Sequence, residues 1–331
     1  MGFFSIRKLF SLQLTLFIRS PIFQPVIWSH VMCGIVGLFC KQPQLQPQLG
    51  PLLAGMLNTM RDRGPDSAGF AIYDGNAPAG MVKLTLRATD GADFAAIAAA
   101  LTHETGAGTD IVVRDTHAVF SVPEAQEATV RTALARLAPA VSVVGAGKRM
   151  ELYKEVGLPA EVARRFGLQT MSGTHGIGHT RMATESAVTT DGAHPYTTGR
   201  DQCLVHNGSL SNHASLRRTL VREGLRFETE NDTEVAAGYL SWRMRHGDSL
   251  KEALEACLRD LDGFYTFVVG AETGFAVLRD PVSCKPAVMA ETDAWVAFGS
   301  EYRALVNLPG IEDAVVWEPE PARVYAWELA S

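Results

Sequence analysis

The chain has no C-x-x-C pair, and its five cysteines, at positions 33, 40, 203, 257 and 284, are odd in number and widely scattered. That usage argues against a disulfide scaffold, and it points to a reduced, cytoplasmic setting. No run of 18 or more apolar residues follows residue 31, so no helical membrane span is expected there. Positive charge is not in surplus. The 30 Lys and Arg against 36 Asp and Glu leave a net charge of −6, which gives no electrostatic footprint for nucleic acid. Like-charge runs, internal repeats, heptads and low-complexity tracts are also missing, and with them the case for charged tails, solenoids and coiled coils. What is present is an apolar fraction of 47% and a charged fraction of 20% over 331 residues. That is globular composition, with length for one large domain or two ordinary ones.

Residues 1–31 stand apart, with Arg7, Lys8 and Arg19, no acidic residue and an apolar run from Leu9 to Ile18. A secretory or organelle signal has this character, but no A-x-A-like cleavage site follows. Two other readings are preferred: a start at Met32 with a misassigned upstream stretch, and next a propeptide spanning 1–32. Each makes Cys33 the first residue of the mature chain, since a methionine before a small residue is readily trimmed. An N-terminal cysteine carries its own nucleophile and, in its free α-amino group, its own base.

From Cys33 onward, strand-like runs alternate with turns and helices. Gly34–Cys40 and Ala68–Tyr73 read as buried strands, the second ending at the turn Asp74-Gly75. Leu49–Met60 has helical spacing in Leu52, Leu53, Met56, Leu57 and Met60. His175–Ala183 and Cys203–Asn207 are further strands. Helices follow over Leu210–Glu223, Thr233–Arg245 and Ser249–Leu261, and then six short strands at hairpin spacing between Thr266 and Trp327. Residues 81–170 differ in texture. Strand, Ala-rich helix (Phe94–Glu104), one strand or a bent pair (Ile111–Val122), helix (Glu124–Leu137) and short strand (Val141–Val144) suggest a small α+β insert of the split βαβ kind.

Several segments invite a chemical reading and fail it. His175 and His179 stand four apart, but Gly176 and Gly178 disfavour a helix and no Glu follows His175 as H-E-x-x-H requires. The histidines therefore read as structural, with His194 at the site edge. Val144-Gly145-Ala146-Gly147-Lys148-Arg149 lacks the spacing and the Ser/Thr of a phosphate loop. Asn207-Gly208 could be an ordinary hairpin turn or a pair of oxyanion donors, and Asp232 could be a helix N-cap or a ligand for an ammonium group.

Five segments occur together in a specific order: Cys33-Gly34-Ile35-Val36-Gly37, Arg63-Gly64-Pro65-Asp66-Ser67-Ala68-Gly69, Gly178-His179-Thr180-Arg181-Met182-Ala183-Thr184, His206-Asn207-Gly208 and Asn231-Asp232-Thr233-Glu234. In that order the chain resembles the class II glutamine amidotransferases, the N-terminal-nucleophile glutaminase domains, over essentially all of 33–331 apart from the insert. The resemblance implies an α+β fold, a four-layer α/β/β/α N-terminal-nucleophile hydrolase sandwich of antiparallel sheets, with the insert docked on one edge. It also implies roles. Cys33 is the nucleophile, and Asn207 and Gly208 hold the oxyanion. Arg181 takes the glutamine α-carboxylate, Asp232 its α-ammonium, and Thr184 lines the site through its backbone. Arg63 and Asp66 brace the loop beside the nucleophile as a structural pair.

No synthase domain is recognisable beyond Phe298-Gly299-Ser300-Glu301. Among stand-alone forms the chain looks most like the glutaminase subunit of split glutamate-synthase systems, including N-methylglutamate synthase. The carrying segments are Asp62 to Tyr73 and Gly145 to Lys154. In such systems FMN and iron–sulfur clusters sit in a partner synthase subunit, a further subunit has a glycine-repeat β-helix, and the glutaminase chain itself holds no cofactor or metal. Two alternatives stay open: a free-standing amidohydrolase of γ-glutamyl compounds, and a non-catalytic regulatory subunit in which residues 1–32 persist and block Cys33.

Overall fold

The computed structural model describes residues 32–89, 91–107, 110–183 and 188–329. Two antiparallel sheets lie face to face. The first has seven strands in the order β15-β13-β14-β1-β8-β2-β7: β1 (Gly34–Cys40), β2 (Ser67–Tyr73), β7 (Met150–Val156), β8 (His175–Arg181), β13 (Val288–Glu291), β14 (Trp295–Gly299) and β15 (Val315–Trp317). The second has five in the order β16-β12-β11-β10-β9: β9 (Tyr196–Gly199), β10 (Gln202–Leu210), β11 (Gly263–Ala271), β12 (Gly274–Arg279) and β16 (Arg323–Glu328). Helices α1 (Leu49–Thr59) and α4 (Pro159–Arg165) cover the outer face of the first sheet. Helices α5 (His213–Arg222), α6 (Asp232–Arg245) and α7 (Leu250–Asp260) cover the outer face of the second. This is the four-layer α/β/β/α sandwich expected from the sequence.

The period of two along a strand explains the layering. On β1, Ile35 and Phe39 enter the layer between the sheets with Ile177, Val205, Val268 and Phe275. Their neighbours Val36, Leu38 and Cys40 face α1, where Leu53 and Leu57 meet them. Each such leucine or isoleucine, fully buried, contributes about 1.5–3 kcal/mol. Both faces of β1 are occupied, which is why it reads as a continuous apolar run rather than an alternating one. Gly37 is part of that solution: a Cβ there would stand 2.5 Å from the Phe275 ring, so the sheets close to this distance only over a glycine.

A third sheet, in the order β4-β5-β3-β6, is built from β3 (Met81–Ala88), β4 (Asp110–Arg114), β5 (His117–Pro123) and β6 (Val141–Gly147), with α2 (Phe94–Thr105) and α3 (Glu127–Leu137) between strands. All its pairings are antiparallel, giving the split β-α-β arrangement. The stretch read as one strand or a bent pair is a hairpin that turns at Asp115, where φ is +55°. This sheet ends at Gly147. Residues 150–165 instead supply β7, which pairs along all of β2, and α4. Sequence spacing did not reveal β7, α4 or β9. The charged faces of β7 and α4 mask their periodicity, and β9 has four residues.

Candidate active site

Cys33 precedes β1 directly, at the end of the layer between the sheets, so the buried strand carries it to the rim. Its backbone is held from two directions. The carbonyl accepts from Arg63 Nε at 3.2 Å and from Asn207 Nδ2 at 3.0 Å. The next residue, Gly34, donates its N–H to Thr180 Oγ1 at 3.2 Å, and Ile35 donates to Ser300 Oγ at 2.9 Å. The Cys33 thiol is half-buried, 3.9 Å from the Met182 carbonyl. Burial pushes this thiol above its ordinary range, while the Met182 backbone and the charges of Arg181 and Lys285 pull it back toward the thiolate.

Asn207 and Gly208 lie inside β10, facing Thr266 and Tyr265 of β11. This corrects the strand end expected at Asn207 and the hairpin-turn alternative: the strand continues to Leu210. Gly208 has φ +144°, and a Cβ would meet the Phe264 carbonyl at 2.0 Å, so the strand keeps its pairing here only with glycine. The local kink brings the Asn207 amide to Cys33. Asp232 is the first residue of α6, whose N-cap is Asn231, accepting from Thr233 N–H at 2.8 Å. The alternative of Asp232 as the cap is thereby replaced. Instead, Asp232 Oδ2 accepts from Leu210 N–H at 2.9 Å, and Oδ1 lies 3.7 Å from His206 Nδ1. Burial works against its charge, but these bonds to His206 and Leu210 outweigh it and hold the carboxyl down at about 2.

Behind Asp232 lies a cluster that the sequence did not reveal. The Thr233 hydroxyl lies 2.9 Å from His194 Nε2 and 3.0 Å from His206 Nδ1. His194 stacks on His179 with ring centroids 4.0 Å apart, and His179 Nε2 lies 3.1 Å from the His206 carbonyl. Burial lowers His179 to about 3 and His194 well below its usual range, so both are neutral near pH 7. His194, expected at the site edge, is a buried support for the α6 N-terminus. The signal for Thr233 was its place in Asn231-Asp232-Thr233-Glu234. Glu234 of the same segment accepts from the N–H groups of Glu228 and Thr229 at 2.7 and 2.8 Å, fixing the loop before the helix.

Arg181 closes β8, buried, with its charge acting on Cys33. Arg63 and Asp66 act on different segments rather than on each other. Arg63 also pairs with Glu301 at 2.5 Å, while Asp66 Oδ2 accepts from Ala183 N–H at 2.8 Å and steadies the chain leaving Arg181. Thr184 lies outside the described residues. The structure thus brings Cys33, Asn207, Gly208, Arg181 and Asp232 to one end of the sandwich, and no group of three or more metal-ligating side chains is found among the described residues. A thiol, an amide donor, a guanidinium and an oriented carboxylate in one place can bind an amino acid by its head group and attack its side-chain carbonyl.

Residues 179–307 match the family described as a glutamine amidotransferase domain. Over 298 residues the chain is 62% identical to the glutamine amidotransferase-like protein GlxB of Rhizobium meliloti, covering 90% of this chain and 98% of GlxB. This chain belongs to the class II glutamine amidotransferases. A more distant relative is the glutamine–fructose-6-phosphate aminotransferase of Aliivibrio fischeri, 39% identical over 129 residues, which are 39% of this amidotransferase and 21% of that enzyme. Among solved structures, the glutamine phosphoribosylpyrophosphate amidotransferase of B. subtilis aligns with a TM-score of 0.57 at 20% identity. That alignment covers 89% of this amidotransferase and 47% of the solved chain, and it speaks for a shared fold alone.

Proposed function

We propose that this amidotransferase is the glutaminase subunit of a glutamate-synthase-like assembly. The observation that carries the catalytic half of the reading is the convergence on Cys33. The Asn207 amide lies 3.0 Å from its carbonyl, Arg181 acts on its thiol, and Asp232 is held on the strand that presents Asn207. Arg181 takes the glutamine α-carboxylate and Asp232 its α-ammonium. The Cys33 thiolate then attacks the side-chain amide carbon. Charge moves onto the amide oxygen, stabilised by Asn207 and the Gly208 N–H. The C–N bond breaks, ammonia leaves with a proton delivered through the Cys33 α-amino group, and a γ-glutamyl thioester remains. Water adds to the thioester and releases glutamate and the free thiol. The α-amino group serves as base only if Cys33 begins the mature chain, so residues 1–32 are removed or never made.

The synthase half of the reading rests on resemblance. FMN, iron–sulfur clusters and a glycine-repeat β-helix belong to partner subunits, and the nitrogen donor used in the reductive step there is ammonia or methylamine. Native co-purification tests it. A complex with flavin and iron–sulfur absorption supports the assembly, whereas a colourless lone protein that hydrolyses γ-glutamyl peptides overturns it. For the catalytic half, Asn207→Ala is expected to lower kcat for glutamine about 10²–10³-fold while glutamine binding stays measurable. Unchanged turnover would remove Asn207 from the oxyanion role.

A further inference from the structure

A cleft of about 690 Å³ separates the third sheet from the sandwich. None of Cys33, Asn207 or Asp232 lines it. Its two long walls are sheet margins: β6 ends the four-stranded sheet and β9 ends the five-stranded one. Residues of both strands, from Val143 to Ala146 and from Tyr196 to Gly199, line the cleft. The volume is that of a small-molecule site, roughly 300–1,000 Å³.

The side chains lining the cleft are not balanced in hydrogen-bonding capacity. Its buried or ion-paired carboxylates are already engaged. Glu127 holds Arg131 and Arg200, and Glu234 spends its oxygens on Glu228 N–H and on the N–H and hydroxyl of Thr229. Asp191 pairs with Arg87, and Glu228 is exposed at the rim. The donors are in surplus. Arg87 is 8% exposed, yet its Nε has no hydrogen-bond partner among the described residues. Lys154, also buried, donates to the carbonyls of Ala193 and Asp191 at 2.9 and 3.3 Å and lies over the Tyr196 ring at 4.5 Å, with no carboxylate bonded to it among the described residues. Arg226, exposed at the mouth, makes no ion pair among the described residues. A buried guanidinium N–H without an acceptor is costly, and an incoming anion would relieve that cost.

We infer that this cleft is a second binding site, for a small ligand bearing a carboxylate or phosphate group, seated on Arg87 with Arg226 at its entrance. The geometry suits planar, two-pronged recognition by a guanidinium, with Lys154 as a neighbouring point charge. The site is independent of the glutaminase reading, because nothing in it depends on the chemistry of Cys33.

The test is calorimetric titration of the full-length protein with inorganic phosphate and, separately, with malonate. Saturable binding is expected. Arg87→Met, which keeps the apolar stem, should weaken it about tenfold or more. Arg226→Ala, an exposed change that leaves the fold alone, should weaken it about threefold. Arg181→Met should leave it unchanged. Preference for phosphate identifies a phosphorylated ligand, and preference for malonate a carboxylate. Cys33→Ala abolishes glutamine turnover but not this heat, which separates failure of the two readings. Absence of saturation by both anions up to about 10 mM would overturn the inference. So would binding that disappears in Arg181→Met and survives both Arg87→Met and Arg226→Ala. Should Arg87→Met not fold, Arg226→Ala and Arg181→Met decide between the two sites.

Discussion

At Thr233 one hydroxyl serves two imidazoles, and the neighbouring carboxylate oxygen of Asp232 lies 3.4 Å away. His194 Nδ1 and His206 Nε2 already lack partners among the described residues, so the cluster has no reserve. Thr233→Val keeps the shape and removes the hydroxyl, leaving two further ring nitrogens unpaired. An unfolding titration should show a loss of about 2–4 kcal/mol, and the KM for glutamine should rise while kcat changes little, because Asp232 loses its support rather than its charge. A matching drop in kcat would place Thr233 in the chemical step instead. Asp232 itself makes a prediction in pH. Its folded carboxyl sits at about 2 against an unperturbed 3.8. A depressed acid contributes stability that is present above the unfolded value and lost as pH falls through the folded one. The stability difference between wild type and Asp232→Asn should therefore hold steady above about pH 4 and shrink toward about pH 2. A difference that vanishes already near neutral pH would contradict the hydrogen-bonded geometry around Asp232.

Among the elements, β10 has the most specific task. It must pair with β11 along its whole length and still turn the Asn207 amide toward Cys33, and Gly208 reconciles the two with φ +144°. Gly208→Ala places a Cβ 2.0 Å from the Phe264 carbonyl. A non-glycine residue in that conformation costs about 1–3 kcal/mol in backbone strain before the clash is counted. The variant should either lose soluble expression or, if it folds, lose turnover with a disturbed β10–β11 pairing detectable by amide exchange at Tyr265. Full activity would show that the strand can flatten here. Helix α7 shows the opposite situation, where local rules suffice. Ser249 and Glu252 form a reciprocal capping box, worth about 1 kcal/mol, and the helix lies within one residue at each end of the Ser249–Leu261 span expected from the sequence.

For the whole molecule, the third sheet is topologically a loop. Tyr73 at the end of β2 lies directly opposite Met150 at the start of β7, so everything between them leaves and re-enters the seven-stranded sheet at adjacent positions. Replacing 74–149 with a short turn should preserve the sandwich. Stability will fall, because Asp201 now accepts from the N–H groups of Lys148, Arg149 and Met150 at 2.6–2.9 Å. The excised protein is expected to hydrolyse glutamine within a few-fold of the parent, to lose anion binding with one wall of the cleft, and to assemble poorly with the proposed synthase partners. Equal loss of hydrolysis and assembly would count against a separable role for this sheet.

The amino-acid sequence by itself determined the family and singled out Cys33 as the candidate nucleophile, with the residue types proposed around it. Attack on an amide needs particular side chains, and five short motifs in a set order identify them. The layered α+β class came with the resemblance those motifs carry, and the local pattern of buried strands and helices agreed with it. Only the tertiary structure decided how those residues meet. Asn207 reaches Cys33 across 174 residues of chain, and Arg63 reaches the same carbonyl across 30. The Thr233 hub joins side chains from β10, α6 and the turn before β9. The cleft lies between two sheet edges that no sequence pattern relates. These features depend on long-range packing, where the register of one strand against another sets which side chains touch, and local pattern carries no record of that.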